Sequence, residues 1–164
     1  MTIEKAMPRG ANISWLEKPT MSAKVGNVTI PRVVNNTPSG LSYIFLPWNS
    51  SGVSQVNSAG VDVISGPFSG CIMGAYHVRG GERYVCHVNK GGANDCAEFW
   101  EALKGSDPNS IEFNPFSSIS NDALREAGGL VPGVVPNCFG IITATNQRFV
   151  VLELKGHVLQ AIAL

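Results

Sequence analysis

The chain has 164 residues, with Lys+Arg 12 against Asp+Glu 12 and 44% apolar residues. That length suits one domain with a sizeable core, and the apolar share excludes a disordered chain. The neutral balance argues against an electrostatic binder of nucleic acid or of a membrane surface, which needs a basic patch.

No run approaches the ~20 apolar residues of a membrane span. Residues 1–24 lack the charged-then-apolar profile of a Sec signal and read as a flexible arm. Residues 25–164 are expected to form one folded domain. Val25–Val34 reads as a strand, with Pro31 marking an edge or a bulge. Asn35–Gly40 is a turn by composition, and Leu41–Leu46 (LSYIFL) is dense in β-formers. After Pro47, the polar stretch Asn49–Gly60 reads as a loop, followed by a short strand Gly60–Ile64. Cys71–Val78 and Arg83–Asn89 form a hairpin through RGGE.

Asn94–Lys104 is the clearest helix: Cys96, Phe99, Trp100 and Leu103 make one apolar stripe, expected in the core. Asp95 with Glu98 resembles a capping box, and Gly105 is a stop. A short second helix is expected at Asn121–Ala127, then strands Cys138–Thr143, Arg148–Leu154 and His157–Ile162. The expected class is α+β, with a β-sandwich-like core of mixed sheets flanked by helices and loops. Trp48 is expected in the core, with lining of the pocket as the alternative. Phe113 and Phe116 are expected to form a small packed cluster in the loop Ser106–Ser120, with a docking surface for the partner as the alternative.

Four cysteines are present, Cys71, Cys86, Cys96 and Cys138, with no CxxC. A zinc site on Cys86, His87 and Cys96 is disfavoured, because adjacent strand residues face opposite ways. Two disulfides are allowed by count, but buried thiols are expected for all except Cys71.

Cys71 stands apart because it follows a Gly-rich turn, ISGPFSG, and opens a strand. Gly66 and Gly70 give freedom for unusual dihedrals and close approach, and amides in such a turn can face an oxyanion. A histidine on the next strand can take the thiol proton and return it to a leaving amine. His77 lies six residues along the same strand, roughly 20 Å away, and cannot reach. His87 returns on the partner strand, while His157 is unconstrained by this argument. Parity decides the matter. A two-residue loop at Gly80–Gly81 puts Cys71 and His87 on opposite faces. A three-residue loop centred on Gly80 pairs Met73 with His87 and makes Cys71 and His87 diagonal neighbours, about 5–8 Å apart. A functional pair therefore requires an odd loop, a bulge, or a Cys71 just outside the regular strand.

The ordered motifs Ile44–Trp48 (IFLPW), Asp62–Cys71 (DVISGPFSGC), Val85–Asn89 (VCHVN) and Ala97–Trp100 (AEFW) resemble the Burkholderia lethal factor toxins. Those toxins are related to the catalytic domain of the cytotoxic necrotizing factors. The resemblance spans about residues 42–103. It implies a glutamine deamidase that hydrolyses a glutamine side-chain amide of a host protein to glutamate. Cys71 would be the nucleophile and His87 the general base and acid. Ser65, in the slot where the lethal factor has threonine, would orient His87 through its hydroxyl or its carbonyl. Phe68 stands where the family has leucine, and the Cys-to-His interval is longer here. The implied protein is a monomer without cofactor or metal, delivered by a bacterium without a Sec signal into the host cytoplasm. Its partner is the host substrate, with neither nucleic acid nor membrane, and the loops Asn49–Ala59 and Ser106–Ser120 are expected to select it. The alternatives are transglutamination or amide cleavage at the same site, or an inactive binding module of the same fold.

Overall fold

Strand alternation builds two packed sheets. The computed structural model describes residues 26–29, 35–36, 42–50, 52–120, 122, 135–155 and 157–164. In chain order the strands are β1 (Gly26–Thr29), β2 (Asn35–Asn36), β3 (Ser42–Leu46), β4 (Gly52–Asn57), β5 (Asp62–Ser65), β6 (Ile72–His77) and β7 (Arg83–Val88). A short 3₁₀ turn, Gly92–Asn94, leads to helix α1 (Ala97–Gly105), followed by β8 (Ile111–Phe113), β9 (Asn137–Ile142), β10 (Arg148–Leu154) and β11 (His157–Ala163). One sheet has the order β1-β4-β7-β6-β8 and the other β11-β10-β9-β5-β3-β2. Both mix parallel and antiparallel neighbours: β1–β4 and β3–β5 are parallel, whereas β6–β7 and β9–β10 are antiparallel. The fold is therefore mixed α+β, mostly sheet, as expected, with one α-helix among the described residues.

In β3, Ile44 and Leu46 face inward while Tyr43 and Phe45 face the other way, and all four are buried. The inward residues join Val56, Met73, Ala75 and Val85 of the five-stranded sheet with Val63, Ile142, Val150 and Leu152 of the six-stranded one. This is the inter-sheet core. The outer face of the five-stranded sheet receives α1: Trp100 and Cys96 pack on Val53, Tyr76, Cys86 and Val88. Gly74 makes this possible, since a Cβ there would overlap the Trp100 indole.

Several expectations are corrected. Residues 49–60 are not all loop, because β4 crosses them and pairs with both β1 and β7. Its polar side chains hide it: Ser54 and Gln55 are buried but bonded, Ser54 Oγ donating to Pro47 O and Gln55 Oε1 accepting from Tyr76 Oη. Asn35–Asn36, expected as turn, pair with β3. The loop 106–120 contains β8, which pairs with β6 and buries Phe113, whereas Phe116 is 38% exposed. The two phenylalanines thus differ in environment instead of sharing one cluster. Trp48 is 51% exposed and lies outside the core. Phe99 is also exposed, so the helix stripe narrows to Cys96, Trp100 and the half-buried Leu103. Asp95 caps α1 from one position earlier than a capping box requires: the N-cap is Cys96, and Asp95 Oδ1 accepts from the Ala97 amide. The expected arm 1–24, Val25 and residues 30–34 of the first strand and most of the helix 121–127 lie outside the described residues.

Candidate functional site

The β6–β7 ladder is in the odd register. Met73 pairs with His87 and His77 with Arg83, while the Val78 amide donates to Glu82 O across a three-residue loop centred on Gly80. Cys71 sits immediately before β6. Continued by two residues, the same register sets Cys71 opposite Asn89 and diagonal to His87, on the face turned to the other sheet. The two-residue loop, which would separate them, is not the one formed.

His77 is removed from this place, as the rise per residue required. Its Nδ1 lies 3.1 Å from Asp107 Oδ2 at the far end of β6. Cys86 and His87 face opposite sides of β7: Cys86 packs with Trp100, and His87 faces inward. Among the described residues, no group of three or more His, Cys, Asp or Glu is placed to hold a metal.

His87 is fully buried. The Phe68 ring stacks on it, centroids 4.1 Å apart and 15° from parallel. Ser54 and Met73 flank it on the neighbouring strands. Gly140, which pairs with Ser65 in the facing sheet, admits this packing: a Cβ there would meet Met73 Sδ at 2.8 Å and Phe68 Cε2 at 3.2 Å.

The proton order follows from the hydrogen bonds. Ser65, the last residue of β5, places Oγ 2.6 Å from Leu46 O and 2.7 Å from His87 Nδ1. A serine hydroxyl has one proton, and a carbonyl oxygen only accepts, so that proton goes to Leu46 O. The Ser65 oxygen then accepts from Nδ1–H. This fixes the tautomer and leaves His87 Nε2 with an unprotonated lone pair. Nε2 is buried and has no hydrogen-bond partner among the described residues. Burial pushes the imidazole pKa down to about 3, so the ring is neutral at pH 7. Of the two ways in which Ser65 was expected to meet His87, the contact is made by the hydroxyl.

Cys71 is half-buried, whereas Cys86, Cys96 and Cys138 are buried, and all four are free thiols. The turn before Cys71 uses Gly66 for a definite reason: its φ is 149°, and a Cβ would lie 2.7 Å from Phe139 Cδ1. Gly70 does not take the unusual dihedral expected of it: its φ lies outside the left-handed region, and a Cβ there would meet nothing within 4 Å. Asn114 Nδ2 donates to Gly70 O at 3.2 Å, tying the turn to the segment after β8.

Sequence reading assigned no role to Asn89. Cys71 Sγ donates to Asn89 Oδ1 at 3.6 Å, and the same oxygen accepts Trp48 Nε1–H at 3.3 Å. Parity was the available signal, because in HVN the asparagine shares a strand face with the histidine two residues before it.

The arrangement sets a half-buried thiol and a neutral imidazole on one sheet face, with a buried hydroxyl of the facing sheet holding that imidazole. Comparison of the chain with known protein families, with curated proteins and with solved structures gives no match.

Proposed function

We propose that the protein is a cysteine-dependent protein-glutamine deamidase, converting the side-chain amide of a host-protein glutamine to a carboxylate. The observation that carries this reading is the lone pair of His87 Nε2. It is buried, without a partner among the described residues, held by Ser65, and set on the same sheet face as the half-buried Cys71. The resemblance of the surrounding motifs to the lethal factor toxins supplies the substrate class and the setting, a host cytoplasm.

In this mechanism Cys71 gives its proton to Nε2 as the sulfur attacks the carboxamide carbon. Burial makes a lone imidazolium costly, so the proton moves in step with the negative charge that forms on the substrate oxygen. The C–N bond then breaks. His87 protonates the departing nitrogen, which leaves as ammonia, and an acyl-thioester remains on Cys71. Water attacks the thioester carbon and gives a proton to Nε2. The C–S bond breaks, and the thiol regains the proton as glutamate is released. Ser65 accepts from Nδ1–H throughout and keeps the ring from turning.

The test is incubation of eukaryotic cytosolic extract with native protein, Cys71→Ser and His87→Gln, followed by a search of peptides for glutamine-to-glutamate conversion. The reading predicts a discrete conversion with native protein alone. His87→Gln should lose about 10²–10⁴-fold in rate, as expected for removing a general acid–base. An amine adduct in place of glutamate would assign transglutamination. A conversion that persists in Cys71→Ser would overturn the mechanism.

A further inference from the structure

The thiol of Cys71 is held by a group outside the Cys–His–Ser set. Its hydrogen bond goes to Asn89 Oδ1, 3.6 Å away. The Asn89 side chain is itself fixed at both ends. Nδ2 donates to Ser50 O at 3.3 Å, and Oδ1 accepts Trp48 Nε1–H at 3.3 Å. An indole N–H only donates and a peptide carbonyl only accepts, so the amide cannot be turned over without losing both bonds. The atom presented to sulfur is therefore an acceptor. Asn89 is only 8% exposed, while Trp48 beside it is 51% exposed. One oxygen thus links an exposed indole to the sulfur.

We propose that Asn89 is a positioning residue for Cys71: its side-chain oxygen takes the S–H bond and holds the sulfur at the mouth of the site, with Trp48 and Ser50 setting the direction of the amide. In the resting protein the thiol proton lies on the Asn89 side and His87 Nε2 waits unbonded. The functional meaning of this arrangement rests on the deamidase reading, but the arrangement has a signature that needs no substrate.

That signature is the S–H stretching band of Cys71, isolated as the infrared difference between native protein and Cys71→Ser. The band is expected at the low-wavenumber, hydrogen-bonded side of the thiol range. It should move to higher wavenumber in Asn89→Leu and stay low in Asn89→Asp, which retains an acceptor oxygen. Trp48→Phe, at a half-exposed position, should also shift it, because the indole shares that oxygen. A Cys71 band at the free-thiol position in the native protein would overturn the proposal, whether or not the Asn89 variants fold. So would a band indifferent to both Asn89 and Trp48. A responsive band with no glutamine conversion in extract would remove the deamidase reading and leave the positioning role intact.

Discussion

At the residue scale, the site depends on where one proton of Ser65 goes. Ser65→Ala removes the acceptor for His87 Nδ1–H and leaves a buried donor unsatisfied. It should cost about 1–3 kcal/mol of stability, read from the shift in denaturant midpoint. Under the proposed deamidase mechanism it should also lower the rate of glutamine conversion while leaving the KM nearly unchanged, because Ser65 touches His87. The buried histidine makes a separate prediction about acid. Its folded pKa, about 3, lies below the ordinary value of about 6.5, so on acidification the unfolded chain takes up the proton first. Stability from this group is constant above about pH 6.5 and falls by up to about 1.4 kcal/mol per pH unit between there and about pH 3. Denaturation midpoints at pH 7 and pH 5 should show a smaller loss in His87→Gln than in the native protein. Equal losses would contradict the buried, neutral assignment.

At the scale of elements, β7 carries the site because it is anchored at both ends. Where it begins, Arg83 Nη1 donates to Ser58 Oγ, and Nη2 donates to Thr143 O and Asn146 Oδ1. These bonds tie the β6–β7 hairpin to the turn between β9 and β10, joining the two sheets. Near its other end His87 is held by Ser65 and Phe68. A slip of one residue would turn His87 out of the inter-sheet space and Cys86 into it. The approach of the sheets at Gly140 is equally exacting. Gly140→Ala should destabilise the fold by roughly 1–3 kcal/mol through overpacking against Met73 Sδ and the Pro115 ring, and should slow catalysis by displacing Phe68 from His87. Thermal unfolding and the rate of glutamine conversion would check the two effects. Normal values of both would show that the sheets are not closely apposed there.

Much of this level was legible in the sequence because apolar alternation and turn residues are local. The β6–β7 hairpin, β10 and β11 were readable within a residue or two. The parity argument left three arrangements open for a functional pair, an odd loop, a bulge, or Cys71 just outside the strand; the ladder shows the odd loop and the last of these, with β6 starting at Ile72. Which loop forms depends on pairing energies along both strands. β4 was missed because its buried Ser54 and Gln55 are satisfied by Pro47 O and the Tyr76 hydroxyl, partners remote in sequence. β8 was missed because three residues are too few to show a period, and its pairing with β6 depends on the tertiary approach. Trp48 was misread because its indole N–H finds Asn89, 41 residues later, and the ring can stay outside the core. Cys71, His87 and Ser65 are candidates from the sequence, whereas the hydroxyl contact of Ser65 and the bond from Cys71 to Asn89 required coordinates.

At the scale of the whole molecule, two sheets and α1 bury three of the four thiols and leave the fourth at one end of the sandwich. That end is where β3, β5 and β7 finish and β6 begins, so Leu46, Ser65 and His87 meet from three strands, at the end where Cys71 precedes the fourth. Burial pushes the Cys86 thiol well above its usual range and the Cys138 thiol up to about 12. A thiol reagent should therefore label one cysteine, Cys71, promptly in the native protein and the remaining three only on unfolding. Rapid labelling of two or more native thiols would contradict the burial pattern. The account as a whole stands on His87 Nε2 being a lone pair available to Cys71. The measurement that reaches it most directly is the long-range ¹⁵N–¹H spectrum of the His87 imidazole in the native protein. The account predicts a proton on Nδ1, an unprotonated Nε2, and no titration of the ring between pH 8 and pH 5. A proton on Nε2, or a ring that titrates near its ordinary value of about 6.5, would contradict it.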